Sequence, residues 1–226
     1  MTEDRDPHDM AQVVVAGEPL ARAGAAMVMV HGRGASAKDI LELRHELPGR
    51  GFAFLAPQAV DSTWYPHSFL APVEHNEPWL GSALATLGRV VAGIEEAGVP
   101  AGRVILLGFS QGACLTLEWA ARNAGRRGGL VGLSGGLIGP PGTPRQYDGS
   151  LAGTPVFLGC SDVDPHIPLP RVDETADVLT GLGAAVTRRI YPGMGHTVNR
   201  DELEHVARIM SAVGAEPGPS PPSAAG

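Results

Sequence analysis

One serine in this sequence stands between two glycines, at the junction of an apolar run and a helix-like segment. The motif Gly-Phe-Ser-Gln-Gly at residues 108–112 follows the apolar residues 104–107 and precedes the amphipathic stretch that begins at residue 113. A sharp turn from a strand into a helix strains its central residue, and Cβ atoms beside it would clash. The pattern therefore predicts that the Ser110 hydroxyl is held at the edge of a sheet as a nucleophile, above a helix N-terminus.

A histidine near the C-terminal end can supply the base that a serine hydroxyl needs. His196 follows a glycine-rich turn at residues 192–195, directly after a candidate strand at residues 185–191. A side chain on such a turn can reach across the edge of a sheet. We therefore expect His196 to take the proton of Ser110.

Two aspartates could orient this histidine, and both follow a candidate strand at residues 156–160. We favour Asp164 because it directly precedes the turn Pro-His-Ile-Pro at residues 165–168. Asp162 is then expected to support the loop by hydrogen bonding. The chain order of nucleophile, acid and base is the order found when this chemistry is built on a doubly wound sheet.

Acyl transfer also needs hydrogen-bond donors for the oxyanion that develops in the transition state. We expect one donor to be the backbone N–H of Gln111, which directly follows the nucleophile. We expect the second to be the backbone N–H of Arg33, in the sequence His-Gly-Arg-Gly at residues 31–34. His31 is interpreted as a structural residue that shapes this loop. The side chain of Arg33 could bind a carboxylate or face water.

An aromatic-rich segment at residues 60–80 could wall a substrate pocket. It holds four of the eleven aromatic residues of the chain. The alternative is that these rings fill the base of an otherwise unsupported loop. Apolar residues after other candidate strands could add to the wall. The candidate pocket residues are Trp64, Tyr65, Phe69, Trp79, Leu137, Ile167 and Met194.

These residues must be positioned by elements whose pattern is typical of an α/β fold. Short apolar runs predict strands at residues 12–16, 25–30, 53–56, 104–108, 129–133, 156–160 and 185–191. Longer amphipathic runs predict helices at residues 37–47, 79–97, 111–123, 170–182 and 200–213. The middle strands are apolar on both faces, as parallel strands covered by helices are. The alternation predicts one doubly wound, mostly parallel sheet with helices on both faces.

The composition indicates a single globular domain without a basic surface for nucleic acid. The 226 residues are 43% hydrophobic, and 17 Lys and Arg against 24 Asp and Glu give a net charge of −7. We expect a flexible arm at residues 1–10, a folded domain at residues 11–214 and a disordered Pro/Ser/Gly tail at residues 215–226. No apolar stretch has the length of a signal peptide or membrane span, which favours a cytoplasmic protein.

These motifs give the chain a resemblance to the small α/β-hydrolases of the phospholipase/carboxylesterase family, which includes bacterial carboxylesterases and acyl-protein thioesterases. The matching motifs are at residues 31–34, 108–112, 164–168 and 195–196. The resemblance implies an α/β-hydrolase fold and a catalytic triad of Ser110, Asp164 and His196. It also implies backbone oxyanion donors at Arg33 and Gln111, and neither a metal nor an organic cofactor.

Two departures from the family pattern bear on the substrate. Arg33 stands where thioesterases of the family usually have a leucine. Residues 64–69 and 77–79 differ from the corresponding segment of lipid-directed members. Both departures argue against lysophospholipids and lipidated proteins as substrates.

The sequence therefore predicts a serine carboxylesterase that acts on small to medium esters through an acyl-enzyme intermediate, as a monomer or homodimer. An acyl-protein thioesterase or lysophospholipase differs only in substrate and stays an alternative. A metal-dependent hydrolase is more distant, because the spacing of the possible ligands matches no zinc motif. Those possible ligands are His67, Glu74, His75, Asp162 and His166. A non-catalytic binding protein on the same fold is the last alternative.

Overall fold

Seven strands form one sheet in the computed structural model, which describes residues 6–214. The strands are β1 (Val13–Gly17), β2 (Ala25–Val30), β3 (Phe52–Pro57), β4 (Val104–Phe109), β5 (Gly129–Leu133), β6 (Pro155–Ser161) and β7 (Ala185–Tyr191). Their order is β1-β3-β2-β4-β5-β6-β7, and β1 is antiparallel to β3 while the other pairs are parallel. The predicted mostly parallel α/β sheet is confirmed. The tail expected at residues 215–226 lies outside the described residues.

Five α-helices of the described range cover the two faces of this sheet. They are α1 (Ala37–Leu41), α2 (Trp79–Glu96), α3 (Gln111–Arg122), α4 (Leu169–Gly181) and α5 (Arg200–Gly214). In β2, Val28 and Val30 join a core with α2, α3 and α4, whereas Met27 and Met29 join a second core with α1 and α5. Both faces of the strand are therefore buried, which explains its continuous apolar run. Within residues 6–214, no helix has the length and apolar composition of a membrane span.

The first helix is shorter than the one expected at residues 37–47. It begins with a capping box in which Ser36 and Asp39 bond to each other's backbone N–H. The chain then tightens into a 3-10 helix over Glu42–Glu46 and becomes extended at Leu47. Pro48 follows, and a residue before proline disfavours the helical conformation. The other predicted elements begin and end within one residue of the observed bounds.

The N-terminal segment differs from the expected flexible arm at residues 6–10. His8 is fully buried, and its ring lies 5.4 Å from the rings of both Trp64 and Trp79. Its backbone N–H donates to the Ser82 hydroxyl at 2.7 Å, and its Nε2 lies 3.0 Å from the Trp64 carbonyl oxygen. This part of the chain thus packs against the aromatic segment. The first half of the expected arm lies outside the described residues.

Candidate active site

The turn between β4 and α3 holds Ser110 in a strained backbone conformation. Its φ of 55° and ψ of −120° lie outside the regions that most residues adopt. A Cβ at Gly108 would come within 2.3 Å of the Gly112 carbonyl oxygen, and one at Gly112 would come within 2.2 Å of the Val30 carbonyl oxygen. Both glycines are therefore required by the close approach of the strands, the turn and the helix.

Three side chains from the loops after β4, β6 and β7 form a continuous chain of hydrogen bonds. The Oγ of Ser110 lies 2.8 Å from Nε2 of His196. The Nδ1 of His196 lies 2.7 Å from Oδ2 of Asp164. When Nδ1 carries the ring proton and donates to the carboxylate, Nε2 is free to accept the hydroxyl proton of Ser110.

The carboxyl group of Asp164 is buried, yet its surroundings favour the ionised form. Burial alone would raise its pKa, but hydrogen bonds from His196 and from the backbone outweigh this effect and lower the pKa of Asp164. The backbone donors are the N–H groups of His166 at 2.8 Å and Ile167 at 3.0 Å. An ionised carboxylate at this position would stabilise the imidazolium that forms when His196 takes a proton.

Asp162, the other aspartate considered from the sequence, makes a different contact. Its Oδ1 accepts a hydrogen bond from the backbone N–H of Gly193 at 2.8 Å. This bond ties the loop after β6 to the turn that precedes His196. The two aspartates therefore occupy separate positions, one against the imidazole ring and one on the backbone that carries it.

The loop after β2 packs directly against the strained turn. A Cβ at Gly32 would lie 3.3 Å from the Cβ of Ser110. Within residues 6–214, no acceptor pairs with the backbone N–H of Arg33 or with that of Gln111 at the start of α3. Two unpaired amides thus lie on the two segments that flank Ser110. They are the donors expected from the sequence for an oxyanion.

His31 shapes this loop from inside the protein. Its ring is fully buried, with Nδ1 2.8 Å from the Gly32 carbonyl oxygen. Its Nε2 accepts a hydrogen bond from the backbone N–H of Ala59 at 3.1 Å, so Nδ1 carries the ring proton and donates to Gly32. Burial lowers the pKa of His31 despite the opposing effect of that bond. These contacts favour the structural interpretation of His31.

A cavity of about 450 Å³ opens beside Ser110. Three of the predicted pocket residues line it, namely Tyr65, Phe69 and Ile167. The cavity is therefore bounded by the aromatic segment on one side and by the loop after β6 on another. Its volume lies in the range of small-molecule sites.

The two predicted tryptophans do not line this cavity. Trp64 is fully buried, and its indole N–H donates to the His31 carbonyl oxygen at 2.9 Å. Trp79 lies at the start of α2 with its ring against His8. Both rings pack in or against the hydrophobic core of the protein. This agrees with the alternative that these rings fill the base of an otherwise unsupported loop.

Leu137 and Met194 are also absent from the cavity lining. Leu137 is fully buried, and its carbonyl oxygen accepts a hydrogen bond from Arg171 at 2.6 Å. The sulfur of Met194 lies 3.0 Å from Nδ2 of Asn199, within the loop that follows β7. Both residues follow strand ends as expected, but their side chains do not line the cavity.

Three further residues line the cavity but were not predicted from the sequence as pocket residues. The rings of Phe109 and His166 lie 5.0 Å and 4.8 Å from the ring of His196. Both lie within the motifs at residues 108–112 and 164–168, so the sequence did carry a signal for them. Cys114 lies one helical turn after Ser110, a spacing that places both on one face of α3. Burial raises the pKa of Cys114 to about 12, so its thiol stays protonated.

The possible metal ligands proposed from the sequence do not converge. The rings of His67 and His75 lie 6.2 Å apart, whereas the ring of His166 lies 4.8 Å from that of His196. Over residues 6–214, no three His, Cys, Asp or Glu side chains are grouped in a way that could hold a metal ion.

A mostly parallel sheet with a strained serine turn after a central strand defines an α/β-hydrolase fold. The model of the phospholipase/carboxylesterase family matches residues 10–213. The chain belongs to this family, as its motifs predicted.

Solved structures agree with this assignment. The crystal structure of a phospholipase/carboxylesterase from Dyadobacter fermentans is 46% identical, covers 89% of this chain and 96% of its own, and superposes with a TM-score of 0.86. The carboxylesterase of Bacillus cereus is 18% identical over 91% of this chain and 95% of its own, with a TM-score of 0.73. At that identity the second likeness concerns the fold alone.

Sequence relatives include two fungal proteins named acyl-protein thioesterase 1. That of Gibberella zeae is 33% identical over 124 residues, which is 51% of this chain and 50% of the relative. That of Saccharomyces cerevisiae is 30% identical over 143 residues, 57% of this chain and 58% of the relative. The matched part of the chain thus spans about half the length of these curated relatives.

Proposed function

We propose that this protein is a serine carboxylesterase that hydrolyses small to medium carboxylic esters. The observation that carries the proposal is the unbroken chain from Asp164 through His196 to Ser110, with contacts of 2.7 Å and 2.8 Å. A weak alcohol needs an adjacent base to act as a nucleophile, and here His196 is that base and Asp164 orients it. Membership in the phospholipase/carboxylesterase family supports the same conclusion.

The reaction proceeds in two acyl-transfer steps. The Oγ of Ser110 attacks the ester carbonyl while Nε2 of His196 takes its proton, and the Arg33 and Gln111 amides donate to the oxyanion. The imidazolium then protonates the leaving alcohol and leaves an acyl-enzyme on Ser110. Water, activated by the neutral imidazole, attacks the acyl group and restores the free hydroxyl.

The cavity supports an ester with a compact acyl or alcohol part. Its aromatic and aliphatic lining includes Tyr65, Phe69, Phe109 and Ile167, which offer apolar surface beside Ser110. Among residues 6–214, no Asp or Glu lines this cavity, whereas Arg33 does. The apolar part of the lining suits a moderately apolar substrate group.

An acyl-protein thioesterase is the second candidate, because the fungal relatives carry that name. The same nucleophile, base and oxyanion donors would serve a thioester. Rates on matched ester and thioester substrates with the same acyl chain separate the two activities. A carboxylesterase should hydrolyse the ester at least as fast as the thioester that carries the same acyl chain.

Initial rates on p-nitrophenyl esters from acetate to palmitate test the proposal. We expect the wild type to prefer short and medium chains, and Ser110→Ala to lose about 10⁴-fold or more in kcat. Ser211→Ala, which alters an exposed serine on α5, is the matched control and should keep the wild-type rate. An inactive wild type, or full activity in Ser110→Ala, would contradict the proposal, and chelator sensitivity would then point to a metal-dependent hydrolase.

A further inference from the structure

The side chain of Arg33 forms three hydrogen bonds to consecutive carbonyl groups of one loop. Its Nη2 donates to the carbonyl oxygens of Tyr65 and His67, each at 2.8 Å, and its Nη1 donates to that of Pro66 at 2.9 Å. We name residues 64–69 the pocket loop. The pocket loop contains no regular helix or strand, so its shape depends on such contacts.

The side chain of Gln111 binds the same loop from the opposite segment. Its Nε2 donates to the Tyr65 carbonyl oxygen at 2.8 Å, and its Oε1 accepts a hydrogen bond from the Trp64 backbone N–H at 3.0 Å. The carbonyl of Tyr65 therefore accepts from both Arg33 and Gln111. The backbone amides of Arg33 and Gln111 are the proposed oxyanion donors, and the side chains of both residues bind the same carbonyl of the pocket loop.

We propose that Arg33 is a positioning residue, whose guanidinium locks the loop after β2 to the pocket loop and thereby fixes its own amide toward the oxyanion. The inference rests on the proposed esterase function. A planar guanidinium presents its donors in a rigid fork, so one side chain can hold three successive carbonyls. A lysine has a single nitrogen and cannot reproduce this geometry.

A competing explanation is that the charge of Arg33 binds a carboxylate on the substrate. Over residues 6–214, no Asp or Glu forms an ion pair with Arg33. However, the loop carbonyls use three of the five N–H donors of the guanidinium. The contacts therefore favour positioning, and the two roles make different predictions for a lysine substitution.

The test compares Arg33→Met and Arg33→Lys with the wild type on two esters, p-nitrophenyl acetate and mono-p-nitrophenyl succinate. Both substitutions keep the backbone amide. We expect kcat to fall about 10- to 100-fold for both variants on both esters, because a misplaced oxyanion donor acts in the transition state. KM should change by less than about threefold, since the ground state does not use that donor.

Controls keep the proposal separate from the general mechanism. Arg22→Met removes an exposed arginine paired with Glu18 and should leave both constants unchanged. Wild type and Ser110→Ala in the same assay test the esterase function itself. Melting temperatures within about 3 °C of wild type would show that the variants are folded.

Three results would overturn the inference while leaving the esterase function intact. Wild-type kcat in Arg33→Lys would mean that a positive charge suffices. A loss confined to the succinate ester would mean that Arg33 binds a substrate carboxylate. Unchanged kcat in Arg33→Met would overturn it as well.

Discussion

Asp162 and Asp164 lie two residues apart, but only Asp164 contacts the imidazole of His196. Asp164→Asn should lower kcat by about 10⁴-fold, because an amide can neither hold the required tautomer nor stabilise the imidazolium. Asp162→Asn removes only a charge from a loop bond to Gly193, and its kcat should fall by less than about tenfold. Steady-state kinetics on a short p-nitrophenyl ester measures both effects.

The pair of variants also decides between the two aspartates left open by the sequence. A larger loss in Asp162→Asn than in Asp164→Asn would reverse their assigned roles. The comparison is well matched, because the substitutions are chemically identical and lie on the same loop.

At the scale of elements, the junction of β2, β4 and α3 is packed so closely that it excludes a single methyl group. A Cβ at Gly112 would lie 2.2 Å from the Val30 carbonyl oxygen and 2.5 Å from that of His31. Gly112→Ala should therefore lower the free energy of unfolding by about 1–3 kcal/mol or more. It should also lower kcat, because displacing the backbone of Val30 and His31 would shift the nearby amide of Arg33, a proposed oxyanion donor.

Gly93→Ala is the control for this prediction. Gly93 lies on the exposed side of α2, and beyond the adjacent helix backbone no atom of residues 6–214 lies within 4 Å of an added Cβ. Alanine there should raise the free energy of unfolding by about 0.5–1 kcal/mol, since it restricts the unfolded chain and favours the helix. Urea unfolding of both variants gives the comparison, and a Gly112→Ala protein as stable and active as wild type would contradict the packing argument.

At the scale of the whole molecule, one buried acid should make stability depend on pH. Glu202 on α5 is fully buried; its Oε2 accepts from the Asn199 N–H at 2.8 Å, while Oε1 has no partner among the described residues. Burial raises the pKa of Glu202 to about 7, with Asp201 adding to the effect and the Asn199 bond opposing it. The folded state therefore binds a proton that the unfolded state releases above its ordinary pKa of 4.5.

This linkage predicts the sign of the pH dependence. As pH rises from 4.5 to 7, the unfolded state ionises first, so the contribution of Glu202 to the free energy of unfolding falls. The loss is about 3 kcal/mol by pH 8. Glu202→Gln should flatten this dependence and be more stable than wild type at pH 8, with a smaller difference at pH 5. Urea unfolding at both pH values checks it, and parallel pH profiles for the two proteins would refute it.

Most of the sheet and the hydrogen-bonded residues Ser110, His196 and Asp164 could be predicted from the sequence, because local sequence patterns mark them. Strands that are buried on both faces have continuous apolar sequences, and two glycines mark the turn at Ser110. Parallel strands place their carboxyl ends at one edge, so residues after β4, β6 and β7 are brought together. The relation of Ser110 to His196 follows from this topology without any knowledge of side-chain packing.

The cavity wall and the N-terminal contact could not be predicted in the same way. Apolar and polar residues do not alternate regularly in the pocket loop. The sequence therefore does not reveal that Tyr65 lines the cavity while the indole of Trp64 bonds to His31 in the interior. His8 lies in a polar segment, and its burial depends on partners far along the chain, such as Ser82. Tertiary packing determines where these side chains lie, so a local sequence pattern cannot predict it.

Labelling with a serine-reactive phosphonate, followed by digestion and mass spectrometry, tests the central claim most directly. The account predicts one adduct per chain, on Ser110, and none in Ser110→Ala. Labelling should also be strongly slowed in His196→Ala, because the hydroxyl then lacks its base. An unlabelled wild type, or an adduct on another residue with Ser110 unmodified, would contradict the assignment of Ser110 as the nucleophile.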